Sequence, residues 1–234
     1  MIPWETLDTV RVAGSGEVLR LARRGGEFSI TIDGRELMNS RQHASEDALA
    51  ELGCEGIRQR KEPRVLIGGL GMGFTLAAAL RQVGPSGRVD VAELVPAVVE
   101  WNRGPLGEVA AYPLSDRRST VLLRDVTDVI FEARDCYDAI LLDVDNGPDA
   151  PLVSGNQRLY DGNGLLAARR ALKAGGVLAV WSAAGPCRPF TNRLRRSGFD
   201  AREAQVRSRG RQGGARHTIW VARVPSGRSR KGPA

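Results

Sequence analysis

The sequence predicts an α/β fold, a Rossmann-like doubly wound sheet with a small N-terminal β meander. From residue 64 to residue 182, short apolar runs alternate with stretches of helical spacing, which is typical of βαβ units around a parallel sheet. The run at 64–68 ends in a glycine-rich turn, and the helical pattern at 74–82 leads to a second run, 89–93, that ends in an acid. Such a unit carries a nucleotide-type site at its first turn.

The first 40 residues, which precede this unit, indicate β structure. Runs at 18–22 and 28–32 flank Arg24-Gly25-Gly26, and Asp33-Gly34 then turns the chain toward 36–38. We therefore expect an antiparallel meander over residues 1–43, and its position before the core makes it a candidate wall of a substrate pocket.

The rest of the chain alternates helices and strands. Helical spacing at 44–55 leads into the first core strand, and the run at 137–143 is continuously apolar, as expected for a parallel strand buried on both faces. The other predicted elements are helices at 96–102, 127–133, 164–172 and 190–197, strands at 121–126 and 177–182, and an antiparallel pair formed by 199–207 and 217–224.

The net charge of +7 is concentrated at the C-terminus. From Arg202 to Ala234, nine Lys and Arg stand against one acid, Glu203, so this stretch carries +8 and the preceding residues carry −1. We therefore expect a ligand-binding α/β domain at 44–224 and a disordered basic tail at 225–234. The main partner should be a small molecule rather than a nucleic acid.

Composition also indicates a compartment. No stretch of eighteen apolar residues occurs, and the first residues lack the basic and apolar regions of a signal peptide. We therefore expect a cytoplasmic protein without a membrane segment. The three cysteines, Cys54, Cys136 and Cys187, and the two histidines show no metal-ligand spacing, so we expect no metal site.

Four polar features converge on one rim of the predicted sheet. Ligands of open α/β sheets bind outside the carboxyl ends of the strands, where the glycine turn, Glu93, Asp125 and Asp143 all fall. An acid placed as Glu93 is can accept both hydroxyls of a ribose. Residue 74 is Phe, whereas a dinucleotide fingerprint needs Gly or Ala there. The G-x-G-x-G pattern of Gly69, Gly71 and Gly73 therefore favours an adenosyl ligand without a pyrophosphate, as in S-adenosylmethionine enzymes.

With these acids placed, residues 16–224 resemble the class I S-adenosylmethionine-dependent methyltransferase fold, and within it the spermidine synthase (polyamine aminopropyltransferase) family. The resemblance rests on 68–73 in place of that family's G-G-G-D-G-G, on 92–94, on Asp125, on 142–148 in place of D-S-x-D-P, and on 172–176. It implies S-adenosylmethionine or its decarboxylated form as the cofactor. Glu93 and Leu94 would hold the ribose, Asp125 with Val126 the adenine, and Asp143 would act near the reacting amine.

The departures from the family pattern affect substrate recognition. Gly71 stands where the family has an aspartate that contacts the donor's amino end, and Asn146 replaces the second aspartate of D-S-x-D. Leu37 stands in place of a glutamine, and Glu46-Asp47-Ala48 in place of Y-x-E. Because a diamine bound in a partly dry cleft needs paired carboxylates, we expect that the cofactor half of the site is retained and the diamine half is eroded.

Three functions follow from this pattern. We expect methyl transfer from S-adenosylmethionine to a small polar substrate, with Asp143 as the catalytic residue and Asp145, Asn146 and Tyr160 at the substrate. Aminopropyl transfer from decarboxylated S-adenosylmethionine to a polyamine is the first alternative. A non-catalytic nucleic-acid-binding protein on the same fold, supported by the basic tail, is the second. The sequence leaves a homodimer open.

Overall fold

The computed structural model describes residues 2–144 and 157–226 as two β-sheets flanked by helices. A small N-terminal sheet is antiparallel, in the order β1-β2-β3-β4, with bounds β1 Glu5–Arg11, β2 Val18–Arg24, β3 Glu27–Ile32 and β4 Arg35–Asn39. The strands of the main sheet are β5 Arg64–Gly68, β6 Arg88–Ala92, β7 Ser119–Leu122, β8 Tyr137–Leu142, β9 Leu172–Ser182, β10 Asp200–Arg207 and β11 Arg216–Arg223.

The main sheet has the order β10-β11-β9-β8-β5-β6-β7. The five strands from β9 to β7 pair in parallel, and β11 is antiparallel to both of its neighbours. The chain leaves β5 toward β6 and β7 on one side and returns to β8 and β9 on the other. The strand order therefore reverses between β5 and β8. Sheets of this type bind ligands at the carboxyl ends of the two strands where the order reverses.

Helices cover both faces of this sheet. They are α1 Ala44–Cys54, α2 Phe74–Gln82, α3 Pro96–Arg103, α4 Val126–Glu132, α5 Gln157–Tyr160, α6 Gly162–Ala171 and α7 Arg188–Arg196. Apolar side chains of α1, α2 and α3 share one buried cluster with the N-terminal sheet, and those of α4, α6 and α7 share a second cluster on the other face. The predicted doubly wound fold with an N-terminal meander is confirmed.

The third core strand was predicted too late in the sequence. β7 ends at Leu122, and Asp125 and Val126 belong to the start of α4 rather than to a strand at 121–126. Asp125 accepts a hydrogen bond from the Thr127 N–H at 2.7 Å, so it is the N-cap of α4. The apolar residues 121–123 indicated a strand that continues to 126. The capping hydrogen bond of Asp125 instead fixes the start of the helix there.

Other differences are smaller. β9 begins at Leu172, before the glycines of the predicted helix stop, and its register with β8 is irregular between Tyr137 and Ala139. β1 and α5 were not predicted as elements, since β1 is mostly exposed and lacks a buried alternating pattern. In the two described ranges, no helix combines the length and hydropathy needed to cross a membrane.

Candidate functional site

The glycine turn between β5 and α2 requires its glycines for conformation and for space. Gly69, Gly71 and Gly73 have φ of 88°, 52° and 83°, a region that other residues rarely adopt. A Cβ on Gly69 would lie 2.5 Å from the carbonyl oxygen of Asp143. The turn therefore packs directly against the end of β8.

Glu93, at the end of β6, is 9% exposed and bonded to the glycine turn. Its Oε2 accepts from the Leu70 N–H at 3.0 Å, and its Oε1 accepts from the Val95 N–H at 2.8 Å. Burial raises the pKa of Glu93, and these backbone donors oppose that rise. Backbone N–H groups of Leu94 and Gly71 also act on this carboxylate, so Glu93 ties the end of β6 to the glycine turn, and its contact with a ribose stays a prediction.

The region predicted for an adenine has an apolar edge. Leu94 and Leu123, which follow the neighbouring strands β6 and β7, are 56% and 57% exposed. Val126 is buried and packs over Gly68, where a Cβ would lie 3.0 Å from Val126 Cγ2. Exposed leucines at the carboxyl ends of two adjacent strands offer a surface for a flat base. Leu123 was missed by the sequence reasoning because the strand was expected to continue through it.

Asp143 is held against the turn from two directions. Its N–H donates to the Gly68 carbonyl at 3.0 Å, and its Oδ2 accepts from Thr75 Oγ1 at 2.6 Å. Thr75 lies in the first turn of α2. Burial raises the pKa of Asp143 to about 6, and the Thr75 hydrogen bond opposes this rise. A carboxyl with this pKa is mostly ionised at neutral pH and can accept a proton from a bound group.

A second acid, Glu46, lies close enough to Asp143 to interact with it. Glu46 sits in the first turn of α1, is 7% exposed, and accepts from Ser45 Oγ at 2.5 Å. Burial and the negative charge of Asp143 raise the pKa of Glu46 to about 8. Within residues 2–144 and 157–226, no Lys or Arg forms an ion pair with either acid. In the described residues, the site therefore holds two buried acidic side chains without a basic partner.

Sequence reasoning missed the role of Glu46. Glutamate in the first turn of a helix is ordinarily an exposed residue that complements the helix dipole, so its position in the sequence gave no sign of burial. Its residue triplet was counted among the departures from the family pattern. The structure instead places a buried carboxyl group there, within electrostatic range of Asp143.

The N-terminal sheet supplies one wall of the glycine turn. A Cβ on Gly71 would lie 2.9 Å from Sδ of Met38, a residue of β4. On the opposite side, Asn102 Nδ2 of α3 donates to the Gly71 carbonyl at 2.8 Å. The position where an acid was expected to be missing is thus covered by a flexible apolar side chain.

An aromatic pair continues the site beyond Asp143. The pairing of Leu142 with Val180 places the next residue of β9, Trp181, beside Asp143 on the sheet. The rings of Trp181 and His217 stack with centroids 4.8 Å apart, and burial lowers the pKa of His217, which is therefore neutral at pH 7. In the described part of the chain, Trp181 Nε1 and His217 Nδ1 are buried without a hydrogen-bond partner.

Three residues predicted at the substrate are placed differently or not at all. Tyr160 is 2% exposed and packs edge to face on Phe190, which makes it a core residue on the α7 side of the sheet. This burial does not support the expected substrate contact. Asp145 and Asn146 lie outside the described residues.

The comparisons with known proteins identify the fold. No model of a known family and no curated protein matches this sequence. Spermidine synthase from Thermotoga maritima superposes with a TM-score of 0.74 at 16% identity, over 95% of this chain and 74% of that one. A spermidine synthase in complex with the transition state analogue AdoDATO gives 0.71 at 17%, over 95% and 73%. A probable spermidine synthase from Corynebacterium glutamicum gives 0.64 at 15%, over 94% and 79%. The chain has a spermidine synthase-like fold of the class I methyltransferase type.

Proposed function

We propose that this protein is a transferase that moves an aminopropyl group from decarboxylated S-adenosylmethionine to an amine. The observation that supports this proposal is the buried Glu46–Asp143 carboxylate pair beside the glycine turn. Two buried acids that share no cation are costly, and a cationic ligand between them offsets that cost. An ammonium group is a cation of the required size.

The same pair discriminates between the two donors. S-adenosylmethionine carries a carboxylate at the end of its aliphatic arm, which would add a negative charge close to Asp143 and to Glu46, whose own ionisation is already disfavoured by its pKa of about 8. The decarboxylated donor carries only an ammonium group there. Because like charges in a poorly solvated site repel strongly, the pair favours the decarboxylated form.

The described residues would bind the nucleoside, orient the amines and accept the proton. Glu93, the glycine turn and the leucine edge would hold the nucleoside. The attacking nitrogen would form a bond to the aminopropyl carbon as the bond from that carbon to the sulfonium sulfur breaks, and the nucleoside would leave as a neutral thioether. Glu46 and Asp143 orient the amines, and Asp143 accepts the proton that the attacking nitrogen releases. With a pKa of about 6, Asp143 is ionised in enough molecules at neutral pH to act as this base.

Methyl transfer to a small polar substrate stays as a second candidate because of Met38. This apolar side chain covers Gly71, so the described residues offer no acid at the position where the family contacts the donor's amino end. A donor with a neutral zwitterionic arm needs no acid there. The two candidates therefore differ in which donor the site binds more tightly.

Calorimetric titration of the protein with both donors tests the proposal. We expect decarboxylated S-adenosylmethionine to bind at least tenfold more tightly, and this preference should shrink in Glu46→Gln. Glu100→Gln, on the exposed side of α3, is the matched control and should keep the preference. Tighter binding of S-adenosylmethionine by the parent protein would overturn aminopropyl transfer in favour of methyl transfer.

A further inference from the structure

The basic and acidic residues are distributed unevenly between the two described ranges of the chain. Residues 2–144 contain seventeen Lys and Arg, whereas residues 157–226 contain fourteen against only three acids, Asp161, Asp200 and Glu203. The second range includes folded helices and strands of the sheet edge, so the basicity belongs to the folded body as well as to the C-terminal tail.

The two ranges also differ in ion pairing. Nine of the seventeen basic side chains in 2–144 form an ion pair with a carboxylate, so an acid of the same fold balances the charge of each of them. In 157–226, the only such pairs that the structure describes are those of Lys173 and Arg202. Twelve arginines of this range therefore carry positive charge that no described acid neutralises.

Eight of these arginines are exposed in two groups at the β10 edge of the sheet. The first group lies on α7, whose Phe190 and Leu194 face the core, and consists of Arg188, Arg193, Arg195 and Arg196. The second group lies at the turn of the β10–β11 hairpin and consists of Arg207, Arg209, Arg211 and Arg216. We refer to the second group, at the hairpin turn, as the arginine surface.

Both groups are fixed to the fold. Arg193 Nη1 donates to the Tyr160 carbonyl at 3.0 Å, and Arg195 Nη2 donates to the Ala201 carbonyl at 3.1 Å. The hairpin turn is attached to α1, because the Ala44 N–H donates to the Ser208 carbonyl at 3.1 Å and Ser208 Oγ donates to Gln42 Oε1 at 2.8 Å. The backbone that carries these arginines is thus ordered before any partner binds, which lowers the entropic cost of binding.

The composition of the surface selects among anionic partners. Insertion into a membrane needs exposed apolar anchors, and Leu166 is the only large exposed hydrophobic residue of 157–226. A protein interface has an aromatic or aliphatic centre, which this surface lacks. Several guanidinium groups at one hairpin turn match repeated phosphates, which they bind in a bidentate manner.

We propose that the arginine surface binds nucleic acid through its phosphate backbone, as a function separate from the transferase site. The absence of exposed aromatic side chains from 157–226 indicates that bases are not stacked on this surface. Binding is therefore insensitive to base sequence and depends strongly on salt. This inference replaces the expectation, drawn from the location of charge in the sequence, that nucleic acid is not a main partner.

Fluorescence anisotropy with a labelled 20-nucleotide single-stranded RNA of mixed sequence, measured with the full chain from 50 to 300 mM KCl, tests this function. The slope of log K against log salt should be about −0.7 per phosphate contacted. Replacing Arg207, Arg209, Arg211 and Arg216 together with Gln should make this slope shallower by about 3 and weaken binding at least tenfold at 100 mM KCl.

The matched control replaces four exposed arginines outside the surface, Arg20, Arg35, Arg88 and Arg117, with Gln. It removes the same charge and should leave the slope and the affinity nearly unchanged. An equal loss in this control, or parent affinity weaker than about 100 μM at 50 mM KCl, would overturn the proposal, since non-specific binding is typically 10⁻⁴–10⁻⁶ M. Thermal melts confirm that both variants are folded.

Three further arms separate the alternative sources of anionic charge. A DNA strand of the same sequence should bind within about tenfold of the RNA, because phosphates are the shared ligand. Deletion of residues 227–234 should retain most of the binding, and complete loss would assign it to the tail instead. Tighter binding to phosphatidylserine vesicles or to polyglutamate than to RNA would overturn the choice of nucleic acid.

Discussion

The buried acids Glu46 and Asp143 lower the stability of the folded protein at neutral and alkaline pH. Both acids have pKa values raised by burial, Glu46 to about 8 and Asp143 to about 6. Between the unfolded and folded pKa values, the folded state binds more protons than the unfolded state, so stability falls as pH rises. The pair is therefore destabilising above about pH 5, and increasingly so up to about pH 8.

Glu46→Gln should raise stability in this range. We expect little change in the free energy of unfolding at pH 5 and a gain of about 1–3 kcal/mol at pH 9, because the neutral amide removes a buried charge. Urea unfolding at both pH values measures this gain. Glu51→Gln, an exposed change on the same helix, is the control and should show no such pH dependence. A gain of equal size at pH 5 would contradict the assigned pKa.

Asp143→Asn should separate binding from catalysis. The amide can still accept from Thr75, so the fold should be kept, and the decarboxylated donor should bind more weakly, as in Glu46→Gln. Turnover at saturating donor should fall by about 10²–10⁴-fold, as expected for loss of a general base. In the parent protein, kcat/KM should rise with pH through an apparent pKa near 6. If turnover per folded molecule is unchanged and only thermal stability drops, Asp143 is a structural residue.

Glu93 combines a structural and a binding role, so its replacement affects both. Glu93→Ala should weaken donor binding by about ten- to a hundredfold, the equivalent of about 1.5–3 kcal/mol for a hydrogen bond to a charged group. It should also lower the melting temperature, because the Leu70 and Val95 N–H groups lose their acceptor.

Calorimetry and thermal melts of Glu93→Gln provide the comparison. The amide keeps one acceptor oxygen, so the melting temperature should recover more than the affinity does. An unchanged dissociation constant in Glu93→Ala would show that this residue does not hold the ribose.

At the level of elements, the start of β8 is fixed by an ion network distant from the rim. Asp138 is 2% exposed and accepts from Arg60 Nη1 at 2.5 Å, from the Arg64 N–H at 2.7 Å and from Lys173 Nζ at 2.8 Å. Burial alone would raise the pKa of Asp138, but Lys173, the Arg64 N–H and Arg60 together lower it. This carboxylate therefore joins the starts of β5, β8 and β9.

Asp138→Asn should destabilise the protein by about 3–5 kcal/mol, as expected when one partner of a buried pair is removed. Because the folded pKa is lowered, the contribution of the carboxylate is present above about pH 4 and is lost as pH falls through the folded value. Denaturant unfolding at pH 7 and pH 3 measures the difference between parent and variant. The difference in the free energy of unfolding between parent and variant should be smaller at pH 3. A difference that is the same at both pH values would show that the ionised carboxylate of Asp138 is not the source of the stability.

Element positions followed from the sequence wherever a local pattern decided them. The predicted bounds of α2 agree with the structure, and the antiparallel pairing of the last two strands is confirmed. β7 was misplaced because an apolar run and a capping aspartate overlap in the sequence. β1 carries no buried pattern of its own, since it is formed by pairing with β2.

The candidate site was predictable only in its cofactor half. Glycines and strand-end acids follow one another along a βαβ unit, so their convergence can be inferred from topology. The position of Glu46 depends on how α1 packs across β8 and β9, and the Trp181–His217 contact depends on the pairing of β9 with β11. Both depend on distant parts of the chain, which local sequence patterns do not report.

At the level of the whole molecule, the two sheets are joined at the site itself. Met38 lies over Gly71, and Trp101 Nε1 of α3 donates to Asp8 Oδ2 of β1 at 2.7 Å. The meander at 1–43 was predicted as a separate region, yet its apolar side chains share a cluster with α2 and α3. The wall of the ligand turn and part of the core therefore come from the same forty residues.

The contact between Met38 and Gly71 predicts how a truncated protein and a ligand-bound protein should behave. A shortened chain that begins near residue 44 would keep every strand of the main sheet but expose the apolar faces of α2 and α3, and it should aggregate rather than fold. Conversely, a ligand in the glycine turn should slow proteolytic cleavage in the loops of the meander, because opening them would pull Met38 away from Gly71. Protection from proteases at the N-terminus would thus serve as a simple assay of occupancy at the donor site.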